Sequence, residues 1–60
     1  MKIKHYREGK GMKQEELALE LAVDRSTITK WETGEAMPRA DKLPELAKVL
    51  GCSIDALFEK

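Results

Sequence analysis

The side chains best suited to chemistry are few in this sequence, and their spacing excludes most of it. His5 is the single histidine and Cys52 the single cysteine. Neither has a partner at ligand spacing, so no metal site is expected. The carboxylates fall on helical surfaces, and nothing pairs two of them in a cleft for acid–base work. No glycine-rich phosphate loop and no Ser/His/Asp set can be placed, so neither an enzyme nor a cofactor is expected. One polar cluster remains: Arg25, Ser26, Thr27, Thr29 and Lys30 concentrate donors in a short stretch. Donors of this kind suit the base edges of a DNA major groove, where a guanidinium can give two bonds to guanine O6 and N7.

Helical periodicity and caps define five segments that would position this cluster, so the fold class expected is all-α. In the first, Ile3, Tyr6 and the alkyl stem of Lys10 share a face, and the Gly9/Gly11 region ends it. The second runs from about Lys13 to Leu21, with Leu17, Ala18 and Leu21 apolar. The third opens at Asp24 as N-cap and ends before Gly34, with Ile28 and Trp31 inward. Trp31, at helical spacing from Ile28, is expected in the core rather than stacked on bases. The fourth lies between Pro38 and Gly51 on the stripe Leu43, Leu46, Ala47 and Leu50, with Asp41 a plausible cap and Pro44 in the first turn. The fifth is short, capped by Ser53, with Ile54, Leu57 and Phe58 apolar. Apolar residues bracket three of these starts at five-residue spacing, as in a hydrophobic staple. They are Met12 with Leu17, Val23 with Ile28, and Cys52 with Leu57. Lys13 is a poor cap, which leaves the first N–H groups of the second helix to Glu16 or water.

Only Ala22 and Val23 separate Leu21 from Asp24. A connection that short makes the second and third helices a helix-turn-helix and leaves Arg25, Ser26, Thr27, Thr29 and Lys30 outward. Gln14, at the start of the second helix, sits where free N–H groups and the helix dipole favour a phosphate.

With 60 residues, one domain over residues 1–60 is expected, burying about 60% of its unfolded surface. The 42% hydrophobic content is globular. There is no apolar run of ~18 residues to cross a membrane. The first residues lack a signal-peptide core, and a lone cysteine fits a reducing cytoplasm, so a cytoplasmic location is expected. Cys52 is expected as a small buried hydrophobe. Charge does not by itself suggest nucleic acid: 11 basic residues balance 11 acidic ones. The distribution is uneven. Residues 1–12 carry Lys2, Lys4, Arg7 and Lys10 against Glu8, whereas residues 13–34 carry Lys13, Arg25 and Lys30 against Glu15, Glu16, Glu20, Asp24 and Glu32.

The stretch Gln14-Glu15-Glu16-Leu17-Ala18, followed by Leu21-Ala22-Val23-Asp24-Arg25-Ser26-Thr27-Ile28-Thr29-Lys30-Trp31-Glu32-Thr33-Gly34, resembles the Cro/C1-type (Xre) family of bacterial and phage transcriptional regulators. Pro38 and the run from Leu46 to Leu57 continue the likeness over nearly the whole chain. The resemblance implies a lambda-repressor-like fold of four or five helices, with the third helix in the major groove. It puts a phosphate contact on Gln14, base contacts on Arg25, Ser26, Thr27 and Lys30, and backbone-riding residues on the loop from Thr33 to Arg39. Lys13, Thr33 and Arg39 are the further phosphate candidates. The family's ion pair between the first and third helices falls on Arg7 and Glu32. The sequence departs from the pattern at three places. Lys13 replaces a Ser or Thr cap, Glu35 stands where a lysine is common, and Ala22 replaces a glycine. Ala22 leaves two options, a turn with less strain or one with a small energetic cost. Many members join this domain to a sensor or dimerisation domain, and residues 1–60 contain nothing of that kind; no small-molecule site is read.

The functional reading is a sequence-specific double-stranded DNA-binding regulator, a repressor in most of the family, acting as a homodimer on a palindromic operator. The other reading is a protein-interaction module, with the acidic second helix and Glu35 facing a protein partner. For the dimer, the expected surface is the fifth helix: Leu57 and Ile54 toward the core, Phe58 at the partner. Folding of Phe58 back onto the first helix is the alternative.

Overall fold

The computed structural model describes residues 1–58. Five α-helices follow one another: α1 (Ile3–Gly9), α2 (Gln14–Leu21), α3 (Arg25–Thr33), α4 (Leu43–Leu50) and α5 (Ile54–Leu57). A single 3-10 turn, Ala40–Lys42, leads into α4. There is no strand among the described residues, and the architecture is all-α.

Three of the connections are built alike. Gly11-Met12-Lys13, Ala22-Val23-Asp24 and Gly51-Cys52-Ser53 each place a left-handed residue, an apolar residue and an extended cap in succession. The apolar residue's N–H reaches back five positions to close the helix it leaves: Met12 to Arg7 O at 3.1 Å, Val23 to Ala18 O at 3.0 Å, Cys52 to Ala47 O at 3.0 Å. This is the Schellman ending, which satisfies carbonyls that the helix itself leaves unpaired. The same three side chains pack against the core that holds Leu17, Ile28 and Leu57. One apolar residue therefore ends one helix and anchors the entry to the next.

The core is Ile3, Leu17, Ala18, Leu21, Ile28, Trp31, Leu46, Ala47, Leu50 and Leu57, drawn from all five helices. The chain ends meet through Lys2 N–H donating to Leu57 O at 2.8 Å. Trp31 is a core residue, and Pro38 is buried in the loop between α3 and the 3-10 turn. The structure corrects three expectations. Asp41 is no cap for α4; it lies inside the 3-10 turn, which runs into the helix through Lys42, and Pro44 occupies the first turn where its missing N–H does no harm. Asp24 holds the N-cap position of α3, but its carboxylate accepts no backbone bond; Thr27 N–H goes to the Asp24 carbonyl instead, at 3.0 Å. Ile54 is not in the core but 37% exposed, because a single turn of helix directs only one residue fully inward and Leu57 takes that place. Leu57 is fully buried, as expected of its place toward the core, and offers no surface to a partner.

Candidate nucleic-acid interface

The helix-turn-helix is α2, the Ala22-Val23-Asp24 turn and α3. Ala22 adopts φ 56°, ψ 43°, the only positive φ outside glycine among the described residues. Of the two options that the sequence leaves, the strained one is realised, since a Cβ in this region crowds the following carbonyl. The turn is braced from outside. The ammonium of Lys42 donates to Leu21 O at 3.1 Å and lies 3.5 Å from a Glu45 carboxylate oxygen. A cation at the last carbonyls of a helix offsets the negative end of its dipole.

The outward face of α3 follows from its spacing. Arg25, Ser26, Thr29, Lys30 and Thr33 are exposed, Thr27 is half-buried, and Ile28 and Trp31 are buried. The side chains of Arg25, Ser26 and Lys30 make no hydrogen bond or ion pair among the described residues. Nine residues of helix span about 13 Å, enough to lie along roughly four base pairs. Thr33 is less free: its hydroxyl donates to Lys30 O at 3.2 Å and lies 3.4 Å from Glu35 N. Arg39 is exposed just before the 3-10 turn.

The start of α2 is organised by acceptors. Glu16 accepts Lys13 N–H at 3.0 Å. A lysine side chain has no acceptor to return the bond, so only half of a capping box forms. The Lys13 side chain is exposed. Gln14 is half-buried, and both atoms of its amide have partners inside the molecule. Its Nε2 donates to Glu32 Oε1 at 2.9 Å, and its Oε1 accepts from Thr29 Oγ1 at 3.2 Å. One Nε2 hydrogen is left over.

Glu32 is held in turn. Arg7 Nε donates to Glu32 Oε2 at 2.6 Å and Arg7 Nη2 to Glu32 Oε1 at 3.2 Å, while Arg7 Nη1 donates to Met12 O at 2.7 Å. Side-chain exposure is 10% for Arg7 and 4% for Glu32. The hydrogen bond to Glu32 raises the Arg7 pKa above its already high ordinary value, so the guanidinium stays charged. This is an ion pair between α1 and α3, with Gln14 bridging it to α2. The sequence reading did not find the roles of Glu32 toward Gln14, of Thr29, or of Lys42. Their partners lie 15 to 21 positions away, beyond any local pattern.

Elsewhere, burial raises the Cys52 thiol pKa, which suits a packed rather than a reactive group. No group of three or more metal-ligating side chains occurs among the described residues, and no helix there is long and apolar enough to cross a membrane.

A two-helix unit with a short turn and an exposed donor face on its second helix defines a helix-turn-helix protein. The family model described as "Helix-turn-helix" matches residues 3–57, and the chain belongs to this family of Cro/C1-type DNA-binding transcriptional regulators. The HTH-type transcriptional activator BcrR of Enterococcus faecalis is 39% identical over 57 residues, covering 95% of this chain and 28% of that protein. The 26 kDa repressor protein of Escherichia phage HK022 is 49% identical over 39 residues, covering 65% of this chain and 17% of that protein. The chain thus spans less than a third of either relative. No solved structure matches it significantly.

Proposed function

We propose that this domain binds double-stranded DNA sequence-specifically by laying α3 in the major groove, and that it does so as a homodimer on a palindromic site. The observation that carries this reading is the exposed, unengaged donor set of Arg25, Ser26 and Lys30 on one face of α3. Arg25 reads guanine, Ser26 and Thr27 contact neighbouring edges, and Lys30 contacts the next turn of the site. Gln14 and Lys13 at the start of α2, with Thr33 and Arg39 around the following loop, contact phosphates. The proposed role is that of a cytoplasmic, non-enzymatic regulator. Repression is the simpler outcome, since an occupied operator excludes other proteins by bulk alone.

Size argues for two copies. The backbone extends 24 Å along its longest axis, shorter than the ~34 Å between successive major grooves on one face of the duplex. One copy reads about four base pairs, too few to single out a site in a genome. The surface proposed for pairing is the rim of α5, where Ile54 is 37% and Phe58 46% exposed. A patch this small supports a dimer that assembles mainly on DNA.

Selection from a random duplex library tests the reading, with a two-fold symmetric consensus expected. Arg25→Ala then flattens preference at one position of each half-site, a discrimination of about 1–3 kcal/mol. Equal loss on cognate and scrambled duplexes would exclude Arg25 from base readout. Sedimentation with a palindromic duplex gives two proteins per duplex; a strict one-to-one complex at saturation would end the dimer proposal.

One observation favours the second reading, a protein partner. Leu19 on α2 is 82% exposed and lies with Ala18, Val23, Glu15, Asp24 and Arg25 around a shallow cleft. An exposed apolar side chain at a cleft that also carries Glu15 and Asp24 suits a basic, partly apolar protein surface. Loss of a pulled-down partner, but not of DNA binding, on Leu19→Glu would identify that role.

A further inference from the structure

We infer that Thr29 and Glu32 are positioning residues that fix the amide of Gln14 for a phosphate. The inference rests on the DNA-binding reading above and adds how the contact is prepared. A glutamine amide can normally turn over, exchanging its donor and acceptor ends. Here it cannot do so freely. Glu32 is a carboxylate held in place by two Arg7 bonds, and it is acceptor-only. Nε2 must therefore face it, at 2.9 Å, because the reversed amide would set two acceptor oxygens against each other. Oε1 then faces α3, where the Thr29 hydroxyl lies at 3.2 Å. That hydroxyl has one hydrogen and a competing acceptor, the Arg25 carbonyl at 3.3 Å.

With one Nε2 hydrogen on Glu32, the other is fixed in direction at the N-terminus of α2, beside the helix's own unpaired N–H groups. A phosphate arriving there meets a donor that needs no further ordering. The chain from Arg7 through Glu32 and Gln14 to Thr29 links the buried ion pair to the exposed face of α3. Thr29 acts through Gln14 and not on a base.

The chain contains one glutamine and no asparagine, so its side-chain carboxamide gives a single pair of NH2 resonances in an amide-correlated NMR spectrum. In the free protein that pair is expected well separated and displaced from its position in urea. On addition of the selected duplex, the proton facing away from Glu32 moves and the proton on Glu32 stays. In binding assays Gln14→Met weakens selected and scrambled duplexes alike, by about two- to tenfold. Thr29→Val weakens both by a smaller factor, Thr29→Ser restores them, and Thr29→Val has no effect in the Gln14→Met background.

A free-protein amide pair at its unfolded position overturns the clamp while leaving the DNA reading intact. So does a double-variant loss equal to the product of the single losses, or a Thr29→Val loss confined to one base position. A duplex library that moves no backbone resonance overturns the DNA reading itself.

Discussion

The α2–α3 and α4–α5 connections have the same backbone course but are held by opposite means. In the α4–α5 turn, local chemistry is complete. Glycine occupies the left-handed position, Gly51 at φ 71°, and the Ser53 hydroxyl accepts Ala56 N–H at 3.0 Å. In the α2–α3 turn an alanine takes the left-handed position, and the Asp24 side chain accepts nothing from the backbone. That turn is braced by residues distant in sequence: Lys42 on Leu21 O, and Glu32 with its Arg7 and Gln14 partners. The turn that aims α3, the helix proposed to read DNA, thus depends on long-range polar contacts, and the turn with no such task depends on its own three residues. Local optimisation suffices where a helix has only to be stopped and restarted. Setting the angle of α3 against α2 falls to the bonds of Gln14 with Glu32 and Thr29, which reach both helices.

The sharpest way to break this comparison is to remove a brace. Glu32→Ala leaves Arg7 buried without its partner, and the expected loss is about 3 kcal/mol or more. A 60-residue domain has a total stability on the order of 3–9 kcal/mol, so urea unfolding should show a severely weakened protein. A loss below about half a kcal/mol would reduce the pair to a surface contact.

Next comes Gly51→Ala. It imposes the left-handed penalty of about 1–2 kcal/mol and puts a Cβ 2.9 Å from Lys10 Cε, a contact the flexible lysine can relieve. Thermal unfolding unchanged by this substitution would mean that the two turns do not differ in the assumed way. Ser53→Ala is expected to lose about 1 kcal/mol by removing a formed cap. Asp24→Ala, at the equivalent position, should lose less than about half of that. Equal losses at the two caps would show that the Asp24 carboxylate caps α3 in solution.

The smallest effect is a gain. Ala22→Gly relieves the strained φ but loosens the unfolded chain, for a net stabilisation of about 0.5 kcal/mol. Calorimetry on Ala22→Gly beside Gly51→Ala measures the same backbone term with opposite sign.

Much of this molecule is legible in its sequence. Helix limits could be read because Gly11, Gly34 and Gly51 sit where left-handed residues are required, and because Met12, Val23 and Cys52 recur just before the caps of α2, α3 and α5. Those are short-range constraints, written within five or six residues. The resemblance placed Arg7 and Glu32 as partners, although composition and periodicity alone could not. Asp24 and Asp41 show the limit of local rules. Both have the right type for a cap, yet the first turn of α3 closes on a carbonyl and α4 begins from a 3-10 turn.

By itself, then, the sequence determined the number and order of the helices, most of the residues that bury, and the polar face of α3, because apolar spacing and turn chemistry act along the chain. Only the tertiary structure decided that Ala22 takes the strained conformation, that Gln14 points into a clamp, that Lys42 closes α2, and that Leu19 and Ile54 stay exposed. Each of those outcomes depends on which helix packs beside which. The partners involved are set by three-dimensional proximity and have no signature in local spacing.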